Sequence, residues 1–284
     1  MPASTREIGR RIKSVKSTKQ ITKAMELVAS AKLRRAIESA KQAYSYEEQL
    51  TAVLAQALQS PDEPAVHPLL AVRPVKKTLV VAINSNQGLA GSYNSGVAKR
   101  LIELKRELKE VDAVLIGRKI EPVVRHAGIT IVQTFHTLPR SPESLDLLTV
   151  AAYLTDLYRT AQYDEIRLVS TLYVSGLVQE VTERVLMPLT WKAPEVVQSP
   201  ALQEPSLSAV LDQLVPQIIS AQLYGGLLQS LASEHANRRR AMHSATDNAE
   251  TMIEKLRLRY NRVRQTAITT EIAEITGGAA ALAN

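Results

Sequence analysis

The chain has 284 residues, is 45% hydrophobic and carries only one Trp, one Phe and nine Tyr, a composition that favours long helices over a large aromatic core. It has no cysteine, which excludes a disulfide framework, a thiolate metal site and a cysteine nucleophile and fits a reducing compartment. The net charge of +7 is uneven: residues 1–41 hold eleven cations against Glu7, Glu26 and Glu38, so that segment expects an acidic partner or a polyanion.

The N-terminal segment, 1–60, reads as one long helix. From Ala3 to about Ser60 there is no proline and a single glycine, Gly9. Ser4 and Glu7 have capping-box spacing. Apolar or small residues recur in steps of three and four through Ile8, Ile12, Val15, Thr22, Met25, Ala29, Leu33, Ala36, Ala40, Ala43, Leu50, Leu54 and Ala57. Much of that seam is alanine, so its partner must come close. The segment has basic residues but no apolar h-region, and reads as structure rather than as a secretory signal.

Four prolines in "SPDEPAVHPLLAVRPV" mark a boundary. Residues 77–190 then change texture. "KTLVVAIN", "VDAVLIG" and "ITIVQTF" are short β-branched runs, and "SGVAKRLIELKRELKE" is an amphipathic helix between the first two. "SLDLLTVAAYLTDLYRTA" reads as a further helix, and "YDEIRLVSTLYV" and "QEVTERVLMPL" as strands. The alternation predicts a Rossmann-like α/β domain with a largely parallel sheet.

A second boundary, "PLTWKAPEVVQSPALQEPS", leads into residues 206–284. Four-three steps from Leu207 stay mostly apolar or small, through Leu211, Leu214 and Ile218 to Tyr260, Val263 and Ala267, which predicts a coiled-coil helix. Past Ala267 the count slips by one residue, to Ile268, Ile272, Ile275, Ala279 and Leu282. The predicted fold is therefore α/β with N- and C-terminal helices paired as an antiparallel coiled-coil hairpin.

Candidate chemistry is sparse. "NSNQGLAGSYNSG" stands where a phosphate loop would, after a strand and before a helix, yet Gly88, Gly91 and Gly96 match neither G-x-G-x-x-G nor a Walker A spacing. The five histidines are scattered without carboxylates at ligand spacing, and no hydrolase or zinc-protease pattern occurs, so no catalytic, cofactor or metal residue is expected. "NRRRAMH" and "KLRLRYNRVRQ" add eight cations between Arg238 and Arg264, near Glu234, Asp247, Glu250 and Glu254. A nucleic-acid-binding coiled coil and a nucleotide-binding α/β protein with coiled-coil arms stay open as alternatives. The near absence of stacking aromatics in the basic stretches argues against the first.

Three segments carry a resemblance. "ITKAMELVASAKLRRA", "ASEHANRRRAMHSATDNA" and "YNRVRQTAITTEIAEITGGAAAL" look like the N- and C-terminal signatures of the F-type ATP synthase gamma subunits, and "NSNQGLAGSYN" is similar to their short central glycine-bearing segment. The chain has no cysteine-bearing regulatory insert of the plant type. The resemblance implies a non-catalytic rotor of the central stalk. It implies partners in the alpha and beta subunits, the epsilon subunit and the membrane c ring, with no nucleic acid and no insertion into the membrane. The implied location is peripheral, on the cytoplasmic face of the cell membrane. By matching motif, Arg264, Gln265 and Thr269, with Met25 and Lys23, are implied contacts to beta. Ala279, Ala280, Ala281 and Leu282 are an implied bearing tip, and Tyr224 and Gly225 an implied foot on the c ring and epsilon.

Overall fold

The computed structural model describes residues 3–58, 68–136, 144–189 and 206–282. Helix α1 spans Ala3–Ala57 and helix α5 spans Leu207–Leu282; between them lie β1 (Lys77–Ile83), α2 (Tyr93–Glu107), β2 (Glu110–Ile116), α3 (Glu121–His126), β3 (Thr130–Phe135), α4 (Leu148–Arg159), β4 (Glu165–Tyr173) and β5 (Gln179–Met187). The chain forms two compact units: Met1–Ala29 with Arg238–Asn284, and Ser30–Asn237.

In the Ser30–Asn237 unit the strands pair in the order β3-β2-β1-β4-β5. The first three neighbouring pairs are parallel and β5 runs antiparallel to β4. Both faces of the sheet are covered, which is why β1 reads as a continuous apolar run instead of alternating. Leu79, Val81 and Ile83 pack with α4 and α5, while Val80 and Ala82 pack with α2 and α3. The short helix α3 was not expected from sequence: its six residues, starting with Glu121 and Pro122, are too few to show a period.

Helix α5 has a wider buried face here than the coiled-coil count implies. Val215, Ile219, Leu223 and Leu227, off the four-three seam, pack toward the sheet. The seam itself faces α1: Leu228 meets Ala40 and Ala43, and Ala232 and Ala236 meet Leu33 and Ala36. Pro216 lies inside α5, where it removes one helical N–H. Val215 and Ile219 beside it are fully buried, and that packing offsets the loss.

One detail fixes α5 on the sheet. β1 pairs with β4 only as far as Val169, so the β4 backbone beyond has no strand on that side. Side chains of α5 take over. Thr171 N donates to Ser230 Oγ at 3.0 Å, Ser233 Oγ donates to Thr171 O at 3.1 Å, and Tyr173 N donates to Gln229 Oε1 at 3.2 Å. Buried backbone groups are thereby satisfied without a further strand. Gly226 makes the approach possible, since a Cβ there would stand 2.8 Å from Leu168 Cδ2.

The edge strand β5 is tied to α2 through charge. Arg100 Nη2 donates to Glu183 Oε2 at 2.7 Å and Arg100 Nη1 to Glu107 at 2.9 Å. Arg167 bonds both Glu165, at 2.5 Å, and Glu183. Burial alone would raise the Glu183 carboxyl, but the bonds from Arg100 and Arg167 outweigh it and hold it below its ordinary value. A depressed folded-state pKa adds stability that is present above the unfolded value and lost as pH falls through the folded one. Glu183→Gln is therefore expected to cost about 2 kcal/mol at neutral pH. The gap should narrow as pH falls through and below the ordinary carboxylate range, read by melting curves of both chains. A gap independent of pH would sink the assignment.

In the other unit, α1 and α5 pair antiparallel. Thr22 and Thr246 share a buried hydroxyl–hydroxyl bond of 2.8 Å, and Lys19 Nζ reaches Glu250 Oε1 at 2.6 Å. The side chain of Ser4 lies outside the described residues, and Glu7 pairs with Arg11 at 2.8 Å, one turn on. The seam is buried at Met242, Thr246, Ala249 and Ile253. Arg239, which the four-three count places on the seam, is exposed.

Candidate coupling surface

The surface built by the Met1–Ala29 and Arg238–Asn284 unit has two zones. In the first, a groove of about 610 Å³ runs beside the seam, with Lys16, Lys19 and Lys23 of α1 facing Glu250, Glu254 and Arg257 of α5. Its electrostatics are set by pairs within the unit. Lys19 bonds Glu250 and holds that carboxyl below its ordinary value. Lys23 Nζ pairs with Glu26 Oε2 at 3.1 Å, and Glu26 Oε1 lies 3.2 Å from His243 Nδ1. His243 Nε2 lies 3.5 Å from Asp247 Oδ2. Met25 is half-buried and Lys23 is exposed.

The second zone is the end of α5. Leu256, Tyr260, Val263 and Ala267 are only half-buried, and from Ile268 onward every described side chain is exposed. Ile268, Ile272 and Ile275 stand 48%, 56% and 66% exposed, so the slipped seam has no partner among the described residues. Arg264, Gln265 and Thr269 are exposed and lie within about a turn of one another on the helix. The threonines here turn back on their own helix. Thr266 Oγ1 donates to Arg262 O, Thr269 Oγ1 to Gln265 O, Thr270 Oγ1 to Thr266 O and Thr276 Oγ1 to Ile272 O, at 2.9–3.1 Å. No residue motif announced this; the signal is the count of threonines in a helix interior, where such back-bonding is their usual outlet. The helix continues through Gly277 to Leu282, and Ala279 is exposed. The side chains of Ala280, Ala281 and Leu282 lie outside the described residues.

Tyr224 and Gly225 belong to the other unit and are half-buried. Tyr224 packs against its core, and a Cβ on Gly225 would stand 3.1 Å from Glu47 Oε2 of α1.

The loop after β1 is bound up in its own structure. Asn84 Nδ2 donates to Ile116 O at 3.0 Å, while its Oδ1 accepts from Lys119 N at 2.8 Å. Ser85 N donates to Asn94 Oδ1 at 3.1 Å and Ser85 Oγ to Gln87 O at 2.6 Å. These bonds tie the ends of β1 and β2 together. They also engage one loop N–H, that of Ser85, internally.

Residues 4–282 match the family model described as ATP synthase, across both units. The chain belongs to the F-type ATP synthase gamma family. Its fold is similar to a chain of the Tetrahymena thermophila mitochondrial ATP synthase central stalk and c ring, at 19% identity and a TM-score of 0.63, covering 79% of this chain and 99% of that one. It is similar to a chain of the Euglena gracilis mitochondrial ATP synthase rotor in rotational state 1, at 18% identity and a TM-score of 0.66, covering 93% and 99%. A third similar chain comes from the Euglena gracilis OSCP/F1/c-ring structure in rotational state 3, at 18% identity and a TM-score of 0.68, covering 98% and 94%. The gamma subunit is a non-catalytic part of the central-stalk rotor, and catalysis takes place at the beta subunits. Among the described residues no helix of this gamma subunit is long and apolar enough to cross a membrane.

Proposed function

We propose that this gamma subunit turns inside the ring of alpha and beta subunits and couples ion flow through the membrane c ring to ATP synthesis or hydrolysis at beta. The observation that carries the reading is the end of α5, a helix presenting exposed isoleucines with no partner within the chain's described residues. Such a surface is costly in water and calls for a sleeve. In this reading Arg264 and Gln265, with Thr269, make the polar contacts to beta, and Met25 and Lys23 meet beta lower down. Ala279 to Leu282 form the bearing tip. The turn of α5 carrying Tyr224 and Gly225 belongs to the foot on the c ring and the epsilon subunit. The protein is then peripheral, on the cytoplasmic face of the cell membrane. The cations of residues 1–41 and of 238–264 favour acidic partner loops.

The test is disulfide trapping in the assembled complex. Arg264→Cys, paired with cysteines placed in beta loops, is expected to give a gamma–beta product that stops ATP hydrolysis until it is reduced. Chains that never co-purify with alpha and beta would overturn the reading. The isolated chain is also expected to melt lower than the assembled one.

A further inference from the structure

In the Met1–Ala29 and Arg238–Asn284 unit, the seam is buried on the α5 side at Met242, Thr246, Ala249 and Ile253. The α1 side is thinner. Between Ile8 and Ala29 only Thr22 is buried, while Ile12, Val15 and Met25 are half-buried. Thr22 and Thr246 meet there with their hydroxyl oxygens 2.8 Å apart. Thr22 Oγ1 also has Lys19 O at 3.0 Å, and Thr246 Oγ1 has Met242 O at 2.8 Å. Two hydroxyl protons thus serve three contacts, and neither group needs water. Two further contacts cross the same seam. Lys19 Nζ donates to Glu250 Oε1 at 2.6 Å on one side of the pair, and His243 Nδ1 lies 3.2 Å from Glu26 Oε1 on the other.

A buried pair of this kind adds little to stability. Replacing both partners by apolar groups of the same shape is nearly neutral, and valine has the shape of threonine. What the pair adds to a helical seam is alignment, because only one pairing of the two helices closes the bond. The neighbouring charges select the same alignment. A shift of one heptad one way would set Thr22 opposite Ile253, Lys19 opposite Arg257 and Glu26 opposite Glu250; the other way, Thr22 would meet Arg239. We propose that Thr22 and Thr246 are positioning residues: their bond fixes how α1 lies along α5, and with it where Lys23 and Met25 stand for contact with beta. Both threonines are buried, so they act through those neighbours. The consequence at beta rests on the rotor reading proposed above; the alignment does not.

The chain has no cysteine, so introduced pairs report on alignment without background. Val15 lies one heptad before Thr22, opposite Ile253 by the seam count, and Tyr260 lies one heptad beyond Ile253. Val15→Cys with Ile253→Cys traps the native alignment as a disulfide, and Val15→Cys with Tyr260→Cys traps only the shifted one. On the full chain, adding Thr22→Val and Thr246→Val is expected to speed shifted trapping about threefold to tenfold, the weight of one such bond, at an unchanged melting temperature. Thr22→Ser with Thr246→Ser keeps both hydroxyls and loses two buried methyls, so it is expected to melt lower and to trap no faster. That contrast separates alignment from stability. In complexes with alpha and beta, the valine pair is expected to pump fewer ions per ATP hydrolysed than the serine pair. An unchanged trapping rate in the valine pair, equally fast trapping in the serine pair, or unaltered pumping by the valine pair would each overturn the proposal. An unmodified chain that never assembles with alpha and beta would sink the rotor reading instead, and the trapping rates would still decide the alignment.

Discussion

Gly117→Ala is expected to destabilise the sheet-bearing unit by about 4 kcal/mol, since backbone strain and overpacking add at this position. Gly117 ends β2 with a φ of +102°, a region that side chains with a Cβ rarely adopt. A Cβ there would stand 2.1 Å from Asn84 O, which is backbone and cannot swing aside. The surroundings are also tied down. Gly117 N donates to Phe135 O at 3.0 Å, and Asn84 N donates to Ile116 O at 2.7 Å. Moving either strand end would break the bonds that the Asn84 side chain makes to Ile116 O and Lys119 N. Urea unfolding of the isolated chain measures the loss. Gly9→Ala, in a helix with nothing within 4 Å of its added Cβ, is the matched control and should be stabilising by up to about 1 kcal/mol. Equal effects at the two glycines would contradict the account.

Ala232→Asp is expected to cost about 3–5 kcal/mol, the range for leaving a charge buried without a partner. Ala232 is fully buried against Leu33, Ala36 and Ala236, where small side chains let α1 and α5 approach. An aspartate there meets only apolar neighbours in that cluster. The control lies seven residues on. Arg239 occupies the same heptad position but is exposed, so Arg239→Ala should stay within about 0.5 kcal/mol. If Arg239 proved as sensitive as Ala232, the seam would have to be redrawn. Complexes assembled with Ala232→Asp are further expected to make less ATP under an ion gradient, which a synthesis assay on reconstituted vesicles would read.

The two long helices and the sheet were legible because their signals are periodic and long. Residues such as Leu228, Ala232, Met242, Thr246 and Ile253 fall on one four-three count and are buried together. The central strands β1 and β2 were legible because a sheet covered on both faces needs unbroken apolar runs there. What the count could not show is a second buried face. Val215, Ile219 and Leu223 pack on the sheet, and a heptad reading has one seam only. The bonds from Ser230, Ser233 and Gln229 to β4 were hidden for a related reason. They exist because β1 stops pairing at Val169, a fact of register that no local pattern contains. In the coupling zone, the slip at Ile268 was readable and the exposure of that face agrees with it. The Lys19–Glu250 ion pair and the Glu26–His243 contact depend on helix pairing and were not readable from charge counts.

The threonines near the end of α5 have a mechanical consequence. Sliding against a wall is slow when each step must break directional bonds, because every such bond adds to an activation barrier that recurs with angle. Thr266, Thr269, Thr270 and Thr276 keep their hydroxyls engaged with carbonyls of their own helix. What they turn outward is methyl groups, beside Ile268, Ile272 and Ile275. Contacts between methyl groups are weak, numerous and nearly indifferent to orientation. In the rotor reading proposed above, the threonine and isoleucine face of this stretch would add little to any preferred resting angle, which would be left to its exposed charged and amide side chains, Arg264, Gln265, Glu271 and Glu274.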